Sequence, residues 1–197
     1  MTIALILGIT GFMLFMAYDI NSFTRRSKIL DTAFLCGCIL IAISTVIQLY
    51  LAWKEGAFSG WGDIVMIVFG VLSFAAMIYC LFFALPFDET YVSQQNGRSV
   101  YDKGVYALCR HPGVICFALM FLFLGIAARP SALLGNGMIL SGLNLLYAFF
   151  QDRVTFPKTF YNYPEYRKSV PFIIPTSKSI RLAYQTLRYP NGKEERP

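Results

Sequence analysis

Four long runs of apolar residues constrain this chain more than any other feature. They extend over Ile3–Tyr18, Ile29–Trp53, Ile64–Phe87 and Pro112–Phe150. A helix needs about 20 predominantly apolar residues to cross the hydrocarbon core of a bilayer. The first three runs each fit one helix, whereas the fourth would overrun the bilayer unless it turned back at Ala128–Ser131. The sequence therefore predicts an all-α integral membrane protein with about five transmembrane helices, the last two forming a helical hairpin.

The composition agrees with a lipid solvent. Charged residues make up 14% of the chain and hydrophobic residues 56%, whereas about a quarter of the residues in a soluble domain are charged. The net charge of +6 does not indicate a nucleic-acid partner, because no segment interleaves basic and aromatic residues on a soluble scaffold. The first apolar run has no basic segment before it, so we expect a retained span and not a cleaved signal peptide.

The cysteines predict neither a disulfide framework nor a metal site. Their number is five, which is odd, and most of them lie inside apolar runs, where cysteine acts as a small hydrophobe. Cys109, His111 and Cys116 would offer a metal ion three ligands without the usual spacing of a zinc site. We therefore expect no bound metal.

Basic residues are distributed unevenly between the two predicted sides of the membrane. Of the 17 Lys and Arg residues, 15 lie between the first two runs, between the third and the fourth, or after Phe150. Only Lys54 and Arg129 lie on the opposite side. Because cytoplasmic loops carry an excess of Lys and Arg, we expect the N-terminus outside. The C-terminus and an active region built from residues 88–111 and 151–175 would then face the cytoplasm.

The chain is expected to form a single membrane domain with three parts. Residues 1–61 would form an N-terminal part with two spans, residues 62–175 a core, and residues 176–197 a basic tail. The core includes the hairpin, where four small residues are expected to allow close helix contact, namely Gly135, Gly137, Ser141 and Gly142.

The basic tail leaves two structures open. Its apolar residues Ile180, Ala183, Tyr184 and Leu187 recur at helical spacing, with arginines beside them. This pattern predicts a short helix that lies on the anionic inner leaflet of the membrane. A frayed basic tail is the other interpretation.

The first stretch whose residues are suited to binding or catalysis is Gly104–Gly113. Its proline, Pro112, is placed to be the first residue of a helix. The free N–H groups and partial positive charge of that helix terminus, together with Arg110 and His111, would form a site for a carboxylate or a phosphate. The alternative is that the Arg-His pair only anchors a span at the membrane interface.

The second stretch follows the last apolar run and is acidic, basic and aromatic in turn. It begins at Gln151 and continues with Asp152 and Arg153. Four aromatic residues follow closely, namely Phe160, Tyr161, Tyr163 and Tyr166. Such an aromatic cluster is able to enclose a planar base or to stabilise a cation. An aromatic belt at the membrane interface is the alternative.

Together the two stretches resemble the isoprenylcysteine carboxyl methyltransferase family, which belongs with the phospholipid methyltransferases in a wider group of membrane methyltransferases. The shared pattern is Gly-x-Tyr-x-x-x-Arg-His-Pro, a helical hairpin, an acidic residue, and Tyr-x-x-Tyr-x-x-x-Val-Pro-x-x-x-Pro. The resemblance covers roughly residues 62–175, and its matching positions are Gly104, Tyr106, Arg110, His111, Pro112, Asp152, Tyr163, Tyr166, Val170, Pro171 and Pro175.

The chain departs from the family pattern in both stretches. Val114 and Cys116 occupy positions where the family usually has Tyr and Gly. The usual Glu-Glu pair after the hairpin is matched only by Gln151-Asp152 or Asp152-Arg153, and the usual Phe-Gly by Phe160-Tyr161. These departures bear on the substrate more than on the cofactor.

The resemblance implies a methyltransferase that uses S-adenosylmethionine. Arg110, His111 and Pro112 would hold the carboxylate of the cofactor. Tyr106, Tyr163 and Tyr166 would enclose its adenine and face its sulfonium. The acceptor would be lipophilic and embedded in the membrane, either an isoprenylcysteine-like carboxylate or a lipid, so a small lipophilic molecule or a lipidated substrate is the expected partner besides membrane lipid.

Two residues are the candidates for catalysis on the acceptor. Arg153 would orient a carboxylate acceptor, whereas Asp152 would take the proton from an amine or a thiol. Two other functions stay open: a non-catalytic membrane protein that retains the fold, and a membrane reductase of a sterol or polyprenoid that uses NADPH. The absence of a glycine-rich dinucleotide loop argues against the reductase, and the oligomeric state stays open.

Overall fold

The computed structural model describes residues 2–24, 27–84, 98–129 and 131–188. Within these ranges the chain is mostly helical and has no strands, apart from an isolated bridge between Arg98 and Phe160, so the all-α prediction is confirmed for them. The α-helices are α1 (Thr2–Phe23), α2 (Lys28–Asp31), α3 (Ala33–Lys54), α4 (Trp61–Ile78), α5 (Val105–Leu108), α6 (Pro112–Ala127), α7 (Leu133–Phe150), α8 (Phe156–Thr159), α9 (Tyr163–Ser169) and α10 (Ser177–Arg188). Two π-helical segments, Tyr79–Phe83 and Gln151–Thr155, continue α4 and α7.

Some predicted features lie outside the described residues. They are the loop arginines Arg25 and Arg26, residues 85–87 at the end of the third apolar run, residues 88–97 of the expected active region, Pro130 of the hairpin turn, and the last nine residues of the tail.

Four helical segments are long and apolar enough to cross a membrane, by length and composition. They are Ile3–Phe23, Lys28–Lys54, Trp61–Phe83 and Leu133–Thr159. The helix Pro112–Ala127 is apolar but has only 16 residues, fewer than the ~20 that span a bilayer. The break predicted after this helix is present, because α6 ends at Ala127 and α7 begins at Leu133. These helices are compatible with a multi-pass membrane protein.

The first helix is longer than the sequence suggested. The apolar run ends at Tyr18, but α1 continues through Asp19 to Phe23. The extra turn is stable because its buried polar side chains find partners. Asn21 Nδ2 donates to Ser27 O and to Asp31 Oδ1, at 2.9 and 3.0 Å, and Asn21 Oδ1 accepts from Ser27 N at 2.8 Å.

The residue contacts divide the chain into two compact units. The first comprises Met1–Ala75 and Cys116–Thr155, and the second comprises Ala76–Ile115 and Phe156–Pro197. The predicted boundaries at residues 61 and 175 stay a prediction.

In the first unit, glycines allow helix backbones to approach closely. A Cβ atom at Gly37 on α3 would lie 2.8 Å from Gly11 O on α1. In the hairpin, a Cβ atom at Gly125 would lie 2.6 Å from Leu134 Cα, and one at Gly137 would lie 2.7 Å from Phe121 Cβ. Helices without a hydrophobic driving force between them associate through such small-residue contacts.

The expected role of the hairpin glycines is therefore correct for Gly137 and wrong for two others. Side chains added at Gly135 or Gly142 would meet no atom within 4 Å, because these residues lie away from the α6 contact. Gly125 on α6 makes the close approach instead.

The second unit has a small, mainly aromatic core. The buried residues Tyr163, Tyr166 and Val170 pack together, and Val100, Phe156 and Phe160 pack against them. The segment around Arg98 is attached to this core by hydrogen bonds, from Tyr161 N to Arg98 O and from Val100 N to Asn162 Oδ1. The core therefore joins residues that are far apart in the sequence.

The contact between α1 and α3 can be tested with a matched pair of glycines. We expect Gly37→Val to destabilise the protein by about 1–3 kcal/mol, because the new side chain would clash with the α1 backbone. Gly142→Val introduces the same side chain in open space and is the control. Thermal unfolding in detergent, followed by circular dichroism, should give a clearly lower midpoint for the Gly37 variant. Equal midpoints would contradict the close approach.

Candidate functional site

The eight predicted site residues fall into both units. The six residues predicted to bind the cofactor belong to the second unit, and they are Tyr106, Arg110, His111, Pro112, Tyr163 and Tyr166. The two predicted catalytic residues, Asp152 and Arg153, belong to the first unit. In the second unit, Tyr166 contacts both Tyr106 and Tyr163. Arg110 and His111 contact the core around these tyrosines, at Val170 and Phe156 respectively.

Arg110 is bound to the C-terminal end of α9. Its backbone N–H donates to Pro171 O at 2.9 Å, and its Nη1 donates to Arg167 O at 3.0 Å and to Val170 O at 2.6 Å. The last carbonyls of any helix have no partner within the helix. In a continuing helix, the N–H of residue 171 would donate to the carbonyl of Arg167, but Pro171 has no N–H. The Arg110 guanidinium donates to this carbonyl instead. The two stretches of the family resemblance therefore meet in one hydrogen-bonded junction.

The sequence explains why α9 ends at this junction. Proline disfavours the helical conformation of the residue before it, and Val170 is extended, with φ −115° and ψ 130°. On the other side of the junction, α6 begins at Pro112, as predicted. Two prolines thus define the helix ends between which Arg110 and His111 lie.

The tyrosines Tyr106 and Tyr166 connect α5 to α9. The Tyr166 hydroxyl donates to Tyr106 O at 2.7 Å, and the Tyr106 hydroxyl donates to Cys80 O at 2.7 Å. Burial raises the pKa of the Tyr166 hydroxyl well above its ordinary value. The hydroxyl therefore keeps its proton and remains a hydrogen-bond donor throughout the physiological pH range.

His111 lies among aromatic rings. Its imidazole stacks on Phe156 with 5.7 Å between ring centroids and 9° between planes, and it meets the edge of Phe172 at 5.1 Å. The Arg110 guanidinium lies 5.7 Å from the Phe172 centroid. Aromatic faces stabilise such cations. The junction thus combines a cation and flat apolar rings, which are the groups that an anionic and aromatic ligand requires.

The predicted ligand-binding residues differ in exposure. Tyr163 is 1% exposed and His111 is 7% exposed, whereas Tyr106 and Arg110 are partly exposed. In this structure Tyr163 contacts Phe156 and Tyr166 and forms part of the core. Arg110 and Tyr106 are therefore the better placed of the six residues to contact a ligand, and Tyr163 and Tyr166 support them.

The predicted catalytic residues lie on the π-helical segment Gln151–Thr155 of the first unit. Asp152 is 2% exposed, whereas Arg153 is exposed, with its guanidinium 5.2 Å from the Phe149 centroid. Single-turn π-helices in α-helices occur frequently at functional sites. The sequence pattern gave no indication of this π-helical turn.

Sequence reasoning also missed Asp19, which lies in the first unit and is 5% exposed. Its carboxylate is within hydrogen-bonding reach of the side chains of Tyr147, Gln151 and Thr155, and Thr155 Oγ1 donates at 3.4 Å. Gln151 Nε2 also donates to the Tyr147 hydroxyl at 2.9 Å. Ionisable residues inside apolar spans are rare and mark functional positions. An acidic residue directly after an apolar run was the available signal.

The contribution of Arg110 to the stability of the fold can be measured separately from ligand binding. We expect Arg110→Ala to lower the free energy of unfolding by about 1.5–3 kcal/mol, because the carbonyls of Arg167 and Val170 lose a charged donor. Lys168→Ala removes a neighbouring exposed cation and is the control. Denaturant titration in detergent, followed by circular dichroism, compares the two variants. A loss no larger than that of the control would show that the junction does not stabilise the fold.

The Asp19 network predicts an ordered series of variants. We expect Asp19→Leu to cost about 1–3 kcal/mol, because several buried donors lose this acceptor. Asp19→Asn retains one acceptor oxygen and should cost less. The same titration measures both, with Asp102→Asn at an exposed position as the control. If Asp19→Leu were as stable as the parent, the network would not hold the π-helical segment.

No group of three His, Cys, Asp or Glu side chains is placed to hold a metal ion in the described part of the chain. No family model, curated protein or solved structure matches this chain. The family resemblance therefore depends on the motif residues alone.

Proposed function

We propose that this chain is a methyltransferase that uses S-adenosylmethionine and modifies a lipophilic acceptor embedded in the membrane. The observation that carries the proposal is the junction between Arg110 and the segment Arg167–Pro171. The two motif stretches are separated by a helical hairpin in the sequence, yet their residues make direct hydrogen bonds. A chance match of two short motifs gives no reason for them to meet.

The residues of the junction fit the chemistry of the cofactor. S-adenosylmethionine carries a carboxylate and a planar adenine, and when bound it supplies a methyl group from its sulfonium centre. Arg110 is partly exposed and is the cation for the carboxylate, and the N-terminus of α6 after His111 adds a partial positive charge. Tyr106 and Phe172 offer aromatic faces for the adenine, while Tyr163 and Tyr166 fix the positions of these groups from the core.

The part that Asp152 and Arg153 would play is proposed from the resemblance. Arg153 would orient a carboxylate acceptor, and Asp152 would accept the proton of an amine or a thiol. The buried Asp19 network holds the π-helical segment on which both residues lie.

The proposal also includes the arrangement in the membrane. The 16-residue helix Pro112–Ala127 would be the fourth of five spans and would cross with its partner α7 as a hairpin. The N-terminus would lie outside, and the C-terminus and the candidate site in the cytoplasm, as the basic residues favour. A lipophilic acceptor would then reach the site from the bilayer.

The second candidate function is a membrane protein that keeps this fold without catalysis. The burial of His111 and Tyr163 favours it, because both side chains have clear packing roles. The incomplete acidic pair at Gln151-Asp152 agrees with it.

A binding measurement on the purified protein in detergent separates these functions. Titration calorimetry with S-adenosylmethionine, S-adenosylhomocysteine and NADPH should show binding of the first two. Arg110→Lys keeps a charge and a donor at the junction but loses the planar fork for a carboxylate. We expect it to bind S-adenosylmethionine about tenfold more weakly, while Lys168→Ala binds like the parent.

Each other result has a definite meaning. Binding of NADPH alone would replace the proposal with the reductase. Binding of none of the three compounds by folded protein would favour the non-catalytic function. Equal affinity of Arg110→Lys and the parent would remove Arg110 from the cofactor site and leave it as a structural residue.

A further inference from the structure

The C-terminal helix α10 (Ser177–Arg188) presents three distinct strips along its length. One strip packs inside the second unit and includes Ser179 and Ala183, which are both buried. Thr186 lies on the same side, and its Oγ1 accepts a hydrogen bond from Gly104 N at 3.0 Å. This buried strip holds α10 against the turn that begins the Gly104–Pro112 stretch.

The helix has a defined beginning. Thr176 Oγ1 accepts from Ser179 N at 3.2 Å, and Ser179 Oγ accepts from Thr176 N at 2.9 Å. Reciprocal bonds of this kind satisfy two donors that a helix N-terminus otherwise leaves without partners. The frayed-tail interpretation is therefore wrong for residues 177–188, and α10 is a positioned element.

The second strip is apolar, and no residue in the described part of the chain covers it. Ile180, Tyr184 and Leu187 recur at intervals of four and three residues, so they lie on one side of the helix. Each of these side chains is more than half exposed, although the helix as a whole packs against α5. Soluble proteins rarely expose a continuous apolar strip of this kind, and such strips mark contact sites.

The third strip is cationic and borders the apolar one. Lys178, Arg181 and Arg188 are all exposed, and Arg188 Nη1 donates to the Tyr184 hydroxyl at 3.2 Å. The helix contains no acidic residue. An apolar strip beside a cationic strip matches the boundary between acyl chains and anionic headgroups.

We propose that α10 lies on an anionic membrane surface, with Ile180, Tyr184 and Leu187 in the acyl region and the three basic side chains at the headgroups. A lipid surface is the occupant that the chain itself favours, because four of its helical segments are long and apolar enough to cross a bilayer. The positive charge selects an anionic surface, since basic residues near such a surface strengthen binding. Docking would be independent of whether the chain transfers methyl groups.

Tryptophan fluorescence in the full chain tests this docking. Trp53 and Trp61 are the only tryptophans in the sequence. Replacing both with phenylalanine removes the native tryptophan fluorescence. Tyr184→Trp then places a reporter on the apolar strip, and Gln185→Trp places one at an exposed position away from that strip. Both proteins are reconstituted into nanodiscs of phosphatidylcholine with brominated acyl chains, with or without phosphatidylglycerol.

We expect the brominated lipid to quench the Tyr184→Trp reporter strongly and the Gln185→Trp reporter weakly in the anionic discs. Each basic residue should strengthen docking by about fivefold. Replacing Lys178, Arg181 and Arg188 with Gln should therefore reduce quenching of the Tyr184→Trp reporter to its level in the zwitterionic discs. Circular dichroism confirms that α10 still folds, and an Ile180→Trp reporter repeats the measurement on the same strip.

Three results would overturn the proposal. Equal quenching of the reporters at positions 184 and 185 would show that the apolar strip does not face lipid. A blue-shifted emission from the reporter at position 184 that lipid does not quench would mean that protein covers the strip, either a second copy or a partner. Equal quenching in both kinds of disc would exclude the selection of an anionic surface.

Discussion

The second unit depends on how the chain compensates for a missing donor at Pro171. Proline ends α9 and leaves the carbonyl of Arg167 without the N–H that the next helical turn would supply. The Arg110 guanidinium takes over this carbonyl and that of Val170. These hydrogen bonds from Arg110 join the start of α6 to the end of α9, and they fix where His111 and the aromatic rings around it lie. The candidate site is thus organised by a backbone requirement.

Two buried polar side chains near the end of α1 meet a similar requirement in the first unit. A buried polar group that lacks a protein partner costs free energy, and most of all in lipid, which offers no hydrogen bonds. Asp19 and Asn21 meet this requirement through side chains of α7 and its π-helical continuation, and through Ser27 and Asp31. Close glycine contacts supply the packing between the helices. Polar pairing and small residues together determine which helix faces meet.

Motif residues in this protein have structural roles beside the ligand binding that we propose for them. Tyr163 and His111 are buried, so a loss of activity on their replacement would not by itself distinguish catalysis from folding. The replacement of Arg110 by lysine is more informative, because lysine retains the positive charge but lacks the planar guanidinium group. The helix α10 contributes a further element, since its buried strip holds the turn at Gly104 and its exposed strips match a lipid surface.

The sequence by itself determined the helical class, the break of the last apolar run near Ala128 and the start of a helix at Pro112, because apolar length and proline act locally. Only the tertiary structure decided the rest. The contacts of Arg110 with Arg167 and Val170, the aromatic neighbours of His111 and the partners of Asp19 join residues distant in the chain. The burial of Tyr163 and the exposure of Arg153 also could not be predicted from the sequence. Whether such a side chain lies inside the protein or at a binding surface depends on which other segments pack against it.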